Sequence, residues 1–200
     1  LQVQKMCGND SLQTDEGVTS EAVIPANATT ASPQEGSVAY LIVTGAKSAS
    51  YGHDLLRGLV AMGFARVIVI PTPNASRVVC PLNLAEVPTV KFVESYFDES
   101  ISPRPKSGLV LVAPCTFNSL NKLAQGIADN LAMSVAAEAI GRRTPVIVAP
   151  SLNQPLFDHP RAQTSLCALH SWGVQIVPPS DVTKVLAPVD RVLAAVRSNF

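Results

Sequence analysis

Four unbroken apolar runs set the framework of this 200-residue chain: VAYLIVTG from Val38, ARVIVIP from Ala65, GLVLVAP from Gly108 and TPVIVAP from Thr144. Each is short, rich in β-branched residues and closed by glycine or proline. That is the pattern of strands buried on both faces. The segments between them repeat near 3.6 residues. Leu55, Leu56, Leu59, Val60 and Met62 set a helix over Asp54–Met62. Leu120, Leu123, Ala124, Ile127, Leu131, Val135 and Ala139 set another over Asn118–Ile140, which Gly126 bends or splits. Arg161–Trp172 and Val185–Arg197 read as helices, and GVQIVPP from Gly173 as a last strand. Strands alternating with helices give right-handed βαβ units and a three-layer α/β fold around a parallel sheet. The first strand is expected near the centre. Residues 72–107 are irregular and proline-rich, with a short strand expected near Val87–Val90.

Residues 1–36 hold no period and read as a poorly structured tail, leaving 37–200 as the folded domain. Hydrophobic residues make up 47% of the chain and charged ones 15%, enough for a large core and apolar enough to suggest a homo-oligomer. The formal net charge is zero, and no basic stripe suits nucleic acid. No apolar run reaches the roughly 18 residues of a membrane span. The first ten residues lack the basic start and apolar stretch of a signal peptide, and a chain beginning at Leu1 reads as a fragment or a processed form. Cys7, Cys80, Cys115 and Cys167 show no metal-ligand rhythm, which reads as a reduced, cytoplasmic protein with no metal.

In open parallel sheets, ligands bind beyond the carboxyl ends of the strands. The loops Gly45–His53, Pro71–Ser76, Pro114–Ser119 and Pro150–Pro160 should therefore line one rim. GAKSASYGH, residues 45–53, offers glycine, the Ser48 and Ser50 hydroxyls and Lys47 at a helix start, where a phosphate can be received. It suits an ordinary serine-capped turn equally well. In TPNAS, residues 72–76, Thr72 and Asn74 contact a ligand or form a turn. After GLVLVAP comes CTFNSLNKLAQGIADNL. Asn118 or Ser119 would cap the helix there. Capping does not account for five small polar or amide positions around one turn, nor for Lys122 and Asp129.

The stretch from Pro114 to Leu131 resembles the P-A-S-A-N-T-x-x-K-x-A-x-G-x-x-D-x-L motif of the homo-oligomeric flavin-containing cysteine decarboxylases. Pro114, Asn118, Lys122, Ala124, Gly126, Asp129 and Leu131 match. Thr116 and Ser119 exchange hydroxyl for hydroxyl, while Cys115 and Phe117 replace alanines. PSLNQPLF, residues 150–157, is similar to the family's P-x-M-N-x-x-M-W, with Pro150 and Asn153 matching. FDHP, residues 157–160, resembles the W-x-H-P continuation of eukaryotic-type phosphopantothenoylcysteine decarboxylases. The resemblance runs from about Val38 to Pro178. It implies a Rossmann-like, flavodoxin-type domain, FMN as cofactor, and trimers or assemblies of trimers with the flavin near a subunit interface.

By that resemblance, Gly45, Ser48, Ser50 and Thr72 help hold the FMN phosphate and ribityl chain, and Thr116, Asn118 and Ser119 contact phosphate or flavin. Lys122 and Asp129 order the motif or a subunit contact. Asn153 hydrogen-bonds the substrate carboxylate, since an amide donates without bringing a competing charge. The implied reaction is FMN-dependent oxidative decarboxylation of a cysteine carboxyl, such as a peptide's C-terminal cysteine, to an enethiol. The alternatives are a phosphopantothenoylcysteine decarboxylase-like enzyme and an FMN-binding regulatory or scaffold subunit without activity.

The sequence departs from the family twice. The catalytic histidine expected upstream of the motif strand is missing from FVESYFDESISPRP, residues 92–105. Tyr96, Asp98 and Glu99 are the titratable groups there and read as loop surface. His53, in the first loop, and His159, in the Asn153 loop, are the candidates to compensate; His170 reads as structural. Residues 178–200 also lack the family's glycine-rich cysteine motif, which favours an enethiol product. Cys115 reads as a packing residue.

Overall fold

The computed structural model describes residue 33 and residues 35–78, 89–101, 108–180 and 185–200. Nearly all of the expected tail, together with Cys7, Cys80 and the segment before Thr89, lies outside the described residues. Six strands form one sheet: β1 (Val38–Val43), β2 (Arg66–Pro71), β3 (Val90–Phe92), β4 (Gly108–Cys115), β5 (Val146–Pro150) and β6 (Gln175–Ile176). All pairings are parallel, in the order β3-β2-β1-β4-β5-β6, with β1 central as expected. This is the doubly wound Rossmann order. Its difference from the flavodoxin order lies in the three-residue β3 added outside β2. The last strand keeps only two paired residues of the run GVQIVPP, because Pro178 and Pro179 carry no N–H for a ladder.

Six α-helices are described: α1 (Gly52–Ala61), α2 (Phe117–Ala124), α3 (Leu131–Arg142), α4 (Gln154–Asp158), α5 (Pro160–Ser171) and α6 (Val189–Arg197). Alternate residues of each strand feed opposite faces of the sheet, so two apolar cores form. Tyr40, Ile42, Ile68, Ile70, Val110 and Val112 pack with α2, α3 and α5. Leu41, Val43, Val67, Val69, Leu109 and Leu111 pack with α1 and α6.

The long helical period over 118–140 divides at Gly126, whose φ of 68° is left-handed. Gln125 ends α2, and Asn130 starts α3 by accepting from the Met133 N–H at 3.1 Å. The closing helix begins at Val189, not Val185, because residues ahead of Pro188 disfavour helical geometry. The serine cap considered for the first loop does not form: the N-caps there are Ala46 and Tyr51, without a side-chain bond. Lys47–Tyr51 forms a 3-10 turn that leads into α1.

Cys115 is free, whereas Cys167 is disulfide-bonded. This corrects the expectation of four reduced thiols. Spacing along the chain does not report which sulfurs meet in space. Among the described residues, no helix is long and apolar enough to cross a membrane, and no cluster of His, Cys, Asp and Glu could hold a metal ion.

Candidate functional site

The strand order reverses between β1 and β4, and a cleft of about 300 Å³ opens beside that switch point, at the carboxyl ends of the strands. One wall is the β1–β2 side, with Gly45, Thr72, Pro73 and Asn74. The other is the first turn of α2, with Thr116, Asn118 and Ser119, continued by Lys122, Asp129 and Asn130.

The walls are held by short-range chemistry. Thr116, not Asn118 or Ser119, caps α2: its backbone is extended and its hydroxyl accepts from the Ser119 N–H. The expected caps lie too late in the turn, since a cap must precede the first helical residue. The same Thr116 hydroxyl donates to Ser119 Oγ at 3.1 Å. Behind it, the buried Thr44 donates to the Pro114 carbonyl at 2.8 Å and accepts from the Thr116 N–H at 3.0 Å. On the opposite wall the Thr72 N–H reaches the Val43 carbonyl at 2.9 Å.

Lys122 and Asp129 form an ion pair across the break between α2 and α3. The pair puts a cation near the C-terminus of α2 and an anion ahead of α3, both favourable to the helix dipoles. The Lys122 ammonium holds the Asp129 carboxyl below its ordinary range, with the Asn130 amide adding to the effect. Asn121, another amide of the motif, accepts from the Ser165 hydroxyl at 2.7 Å and fastens α2 to α5. Burial pushes the Cys115 thiol up to about 12, which leaves it a packing group and not a thiolate.

Of the seven expected cofactor contacts, Gly45, Thr72, Thr116, Asn118 and Ser119 come together in this cleft. Ser48 is buried and shares a 2.7 Å hydrogen bond with the Ser151 hydroxyl, which ties the β1 loop to the end of β5. Ser50 is exposed and bonds within its own turn, to the Lys47 carbonyl at 3.4 Å.

The three expected catalytic residues lie outside the lining of the cleft. His53 is partly buried in the first turn of α1. Asn153 is exposed and caps α4, its Oδ1 accepting from the Leu156 N–H at 3.0 Å. That bond orients the side chain and leaves the amide N–H groups as donors. His159 caps α5 through Nδ1, which accepts from the Arg161 N–H at 3.0 Å, so the ring proton sits on Nε2. The His159 ring meets the Phe117 ring edge-on at 5.3 Å. Phe117 therefore joins the motif turn to the loop that carries Asn153. In the stretch without a histidine, Asp98 accepts from Lys91 and from the side chain and backbone of Ser100, which lowers its pKa to about 2. It is a poor proton acceptor at neutral pH.

Sequence reasoning missed Thr44 and Asn130. Asn130 carried a signal, an Asn directly before an apolar helical run. Thr44 carried none, because a threonine ending a buried strand looks like any other.

A doubly wound α/β protein with a polar-lined cleft at its switch point is what fold and site define. The chain belongs to the flavoprotein family, whose pattern it matches over residues 28–199, starting within the segment read as tail. It is related there to phosphopantothenoylcysteine decarboxylases and to FMN-dependent peptidyl-cysteine decarboxylases. It is 31% identical over 148 residues to the coenzyme A biosynthesis bifunctional protein CoaBC of Bacillus subtilis (strain 168), covering 70% of this chain and 36% of that one. It thus spans about a third of the length of these bifunctional relatives. A probable phosphopantothenoylcysteine decarboxylase of Streptococcus mutans is 29% identical over 146 residues, covering 70% of this chain and 80% of that protein. Among solved structures, a mutant PPC decarboxylase complexed with pantothenoylaminoethenethiol superposes with a TM-score of 0.70 at 20% identity, over 82% of this chain and 98% of that one. The FMN-dependent cysteine decarboxylase TvaF from thioviridamide biosynthesis gives a TM-score of 0.65 at 25% identity, over 80% and 96%.

Proposed function

We propose that this chain binds FMN in the switch-point cleft and oxidatively decarboxylates a cysteine carboxyl, the C-terminal cysteine of a peptide, to an enethiol. The observation that carries the reading is the convergence of Thr72, Thr116 and Ser119 with the α2 N-terminus on one cleft. Hydroxyls and N–H groups at a helix start are what a phosphate ester needs. The donor set fits FMN. Among the described residues that line the cleft, the one carboxylate, Asp129, is already neutralised by Lys122. Gly45, which also lines the cleft, lets the β1 loop close against Asn74, where a Cβ would clash.

The bound flavin would supply two-electron oxidation of the cysteine side chain. The protein's part is binding and orientation. Ser119 holds the phosphate or ring side of the cofactor, with Thr116 orienting it, and Thr72 and Gly45 form the opposite wall. Asn153 donates its amide N–H groups to the substrate carboxylate, held in aim by its bond to the Leu156 N–H. An amide grips the carboxylate without adding a charge that would oppose loss of carbon dioxide. His159 presents Nε2–H from the same loop.

We further propose a homo-oligomer, a trimer or an assembly of trimers. Tyr51, Phe97 and Leu156 are exposed on segments that follow strands, and Phe97 is 95% exposed. Light scattering of the purified protein reads the state directly.

A second reading is favoured by the Streptococcus mutans relative, most of whose length is matched: turnover of phosphopantothenoylcysteine. The deciding experiment incubates the protein with FMN and both substrate classes under mass spectrometry. Loss of carbon dioxide plus two hydrogens from a Cys-terminated peptide supports the first reading, and formation of the pantetheine product the second. Flavin uptake without turnover of either would leave a binding subunit that acts through an active relative. A protein that takes up no flavin would overturn all three.

A further inference from the structure

We infer that Thr44 is a positioning residue for the cleft: its hydroxyl sets the register of the α2 first turn. The inference rests on the FMN reading for its ligand but not for its geometry. Thr44 is fully buried at the end of β1, the central strand. The Pro114 carbonyl can only accept and the Thr116 N–H can only donate. Thr44 Oγ1 must therefore give its proton to Pro114, at 2.8 Å, and receive from Thr116, at 3.0 Å.

Thr116 Oγ1 accepts from the Ser119 N–H and donates to Ser119 Oγ. Ser119 Oγ, having accepted, keeps its own proton for another acceptor, and Ser119 lines the cleft. The turn that Thr44 anchors thus presents an O–H donor at Ser119, the group an anionic or acceptor-rich ligand requires. The next residue, Gly45, meets the other wall: a Cβ there would lie 2.8 Å from Asn74 Cβ and 2.9 Å from its backbone. Two consecutive residues of β1's end therefore register both walls, Thr44 through its side chain and Gly45 through having none.

Two substitutions separate the hydroxyl from packing. Thr44→Val keeps the branched shape and removes the hydroxyl, and Thr44→Ser does the reverse. Amide exchange at Thr116 in the FMN-free protein reads the bridge, and quenching of flavin fluorescence reads the cleft. The native Thr116 amide is expected to be strongly protected. Thr44→Val should speed its exchange and weaken FMN binding, each by about tenfold or more, because a buried donor and acceptor lose their partner. Thr44→Ser should hold both near native values. Fast exchange at Thr116 in the native protein would overturn the inference, even if Thr44→Val failed to fold. So would a valine variant with native exchange and affinity, or a serine variant as impaired as the valine. If the native protein binds no FMN, the cofactor reading fails, and the exchange data still decide the role of Thr44.

Discussion

Gly45 and Asn74 approach so closely that no side chain fits between them: a Cβ on Gly45 would stand 2.8 Å from Asn74 Cβ and 2.9 Å from both its carbonyl carbon and oxygen. The contact is to backbone, which cannot swing aside. It seats the β1 loop against the β2 loop on one side of the cleft.

Gly45→Ala should therefore push the two loops apart. Overpacking of this kind costs about 1–3 kcal/mol. A denaturant titration should show that loss, and flavin titration a weakened cofactor. A variant with native stability and native binding would show that the loops adjust freely.

Asn153 caps α4 and, in the proposed function, holds the substrate carboxylate, two roles that one substitution can divide. Asp caps a helix as well as Asn, so Asn153→Asp should keep stability within about 1 kcal/mol. It removes the N–H donors and sets a negative charge against the substrate carboxylate. Turnover of a Cys-terminated peptide should fall by about 10²-fold or more, the usual cost of a lost charge-stabilising donor. Unchanged kcat/KM in the Asp variant would remove Asn153 from the reaction.

The Lys122–Asp129 pair gives the break between α2 and α3 an acid dependence. The Asp129 carboxyl is depressed in the folded protein, so its contribution is fully present above the ordinary carboxylate range, about pH 4. That contribution is lost as pH falls through the depressed folded value. Carbon-detected NMR titration of Asp129 should give a midpoint below that range. In Lys122→Met the midpoint should move back up, since the largest cause of the depression is gone. A midpoint that stays put would mean that the pair does not form in solution.

Cys115 should resist alkylation in the native state. Its thiol is fully buried and pushed up to about 12, so almost no thiolate exists at pH 8. Peptide mapping after iodoacetamide treatment should find Cys115 unmodified in native protein and modified in urea. Rapid native labelling would mean that the end of β4 opens readily.

The periodic part of the architecture was legible from residue order. Runs such as VIV and LVLV leave few alternatives to buried parallel strands, and the 3.6-residue spacings located the helices between them. The motif from Pro114 to Leu131 was legible as a site because its small and amide residues exceeded what capping required. The structure then divided those residues by role: Thr116 caps, Asn121 fastens α5, Cys115 packs, and Ser119 faces the cleft.

Sequence alone thus determined the strand and helix pattern, the central place of β1 and the rim on which a ligand would sit, because hydrophobic period and βα alternation are local signals. Only the tertiary structure decided which side chains share the cleft. Thr44 and Pro114 are 70 residues apart, and Ser48 and Ser151 are 103 apart. His53, in α1, and His159, the cap before α5, equal candidates in the sequence, both fall outside the lining. Hydrogen bonds across a parallel sheet join strands through crossovers, so their partners are set by register and not by neighbouring residues. That is why a threonine indistinguishable from strand filler turns out to align the wall of the site.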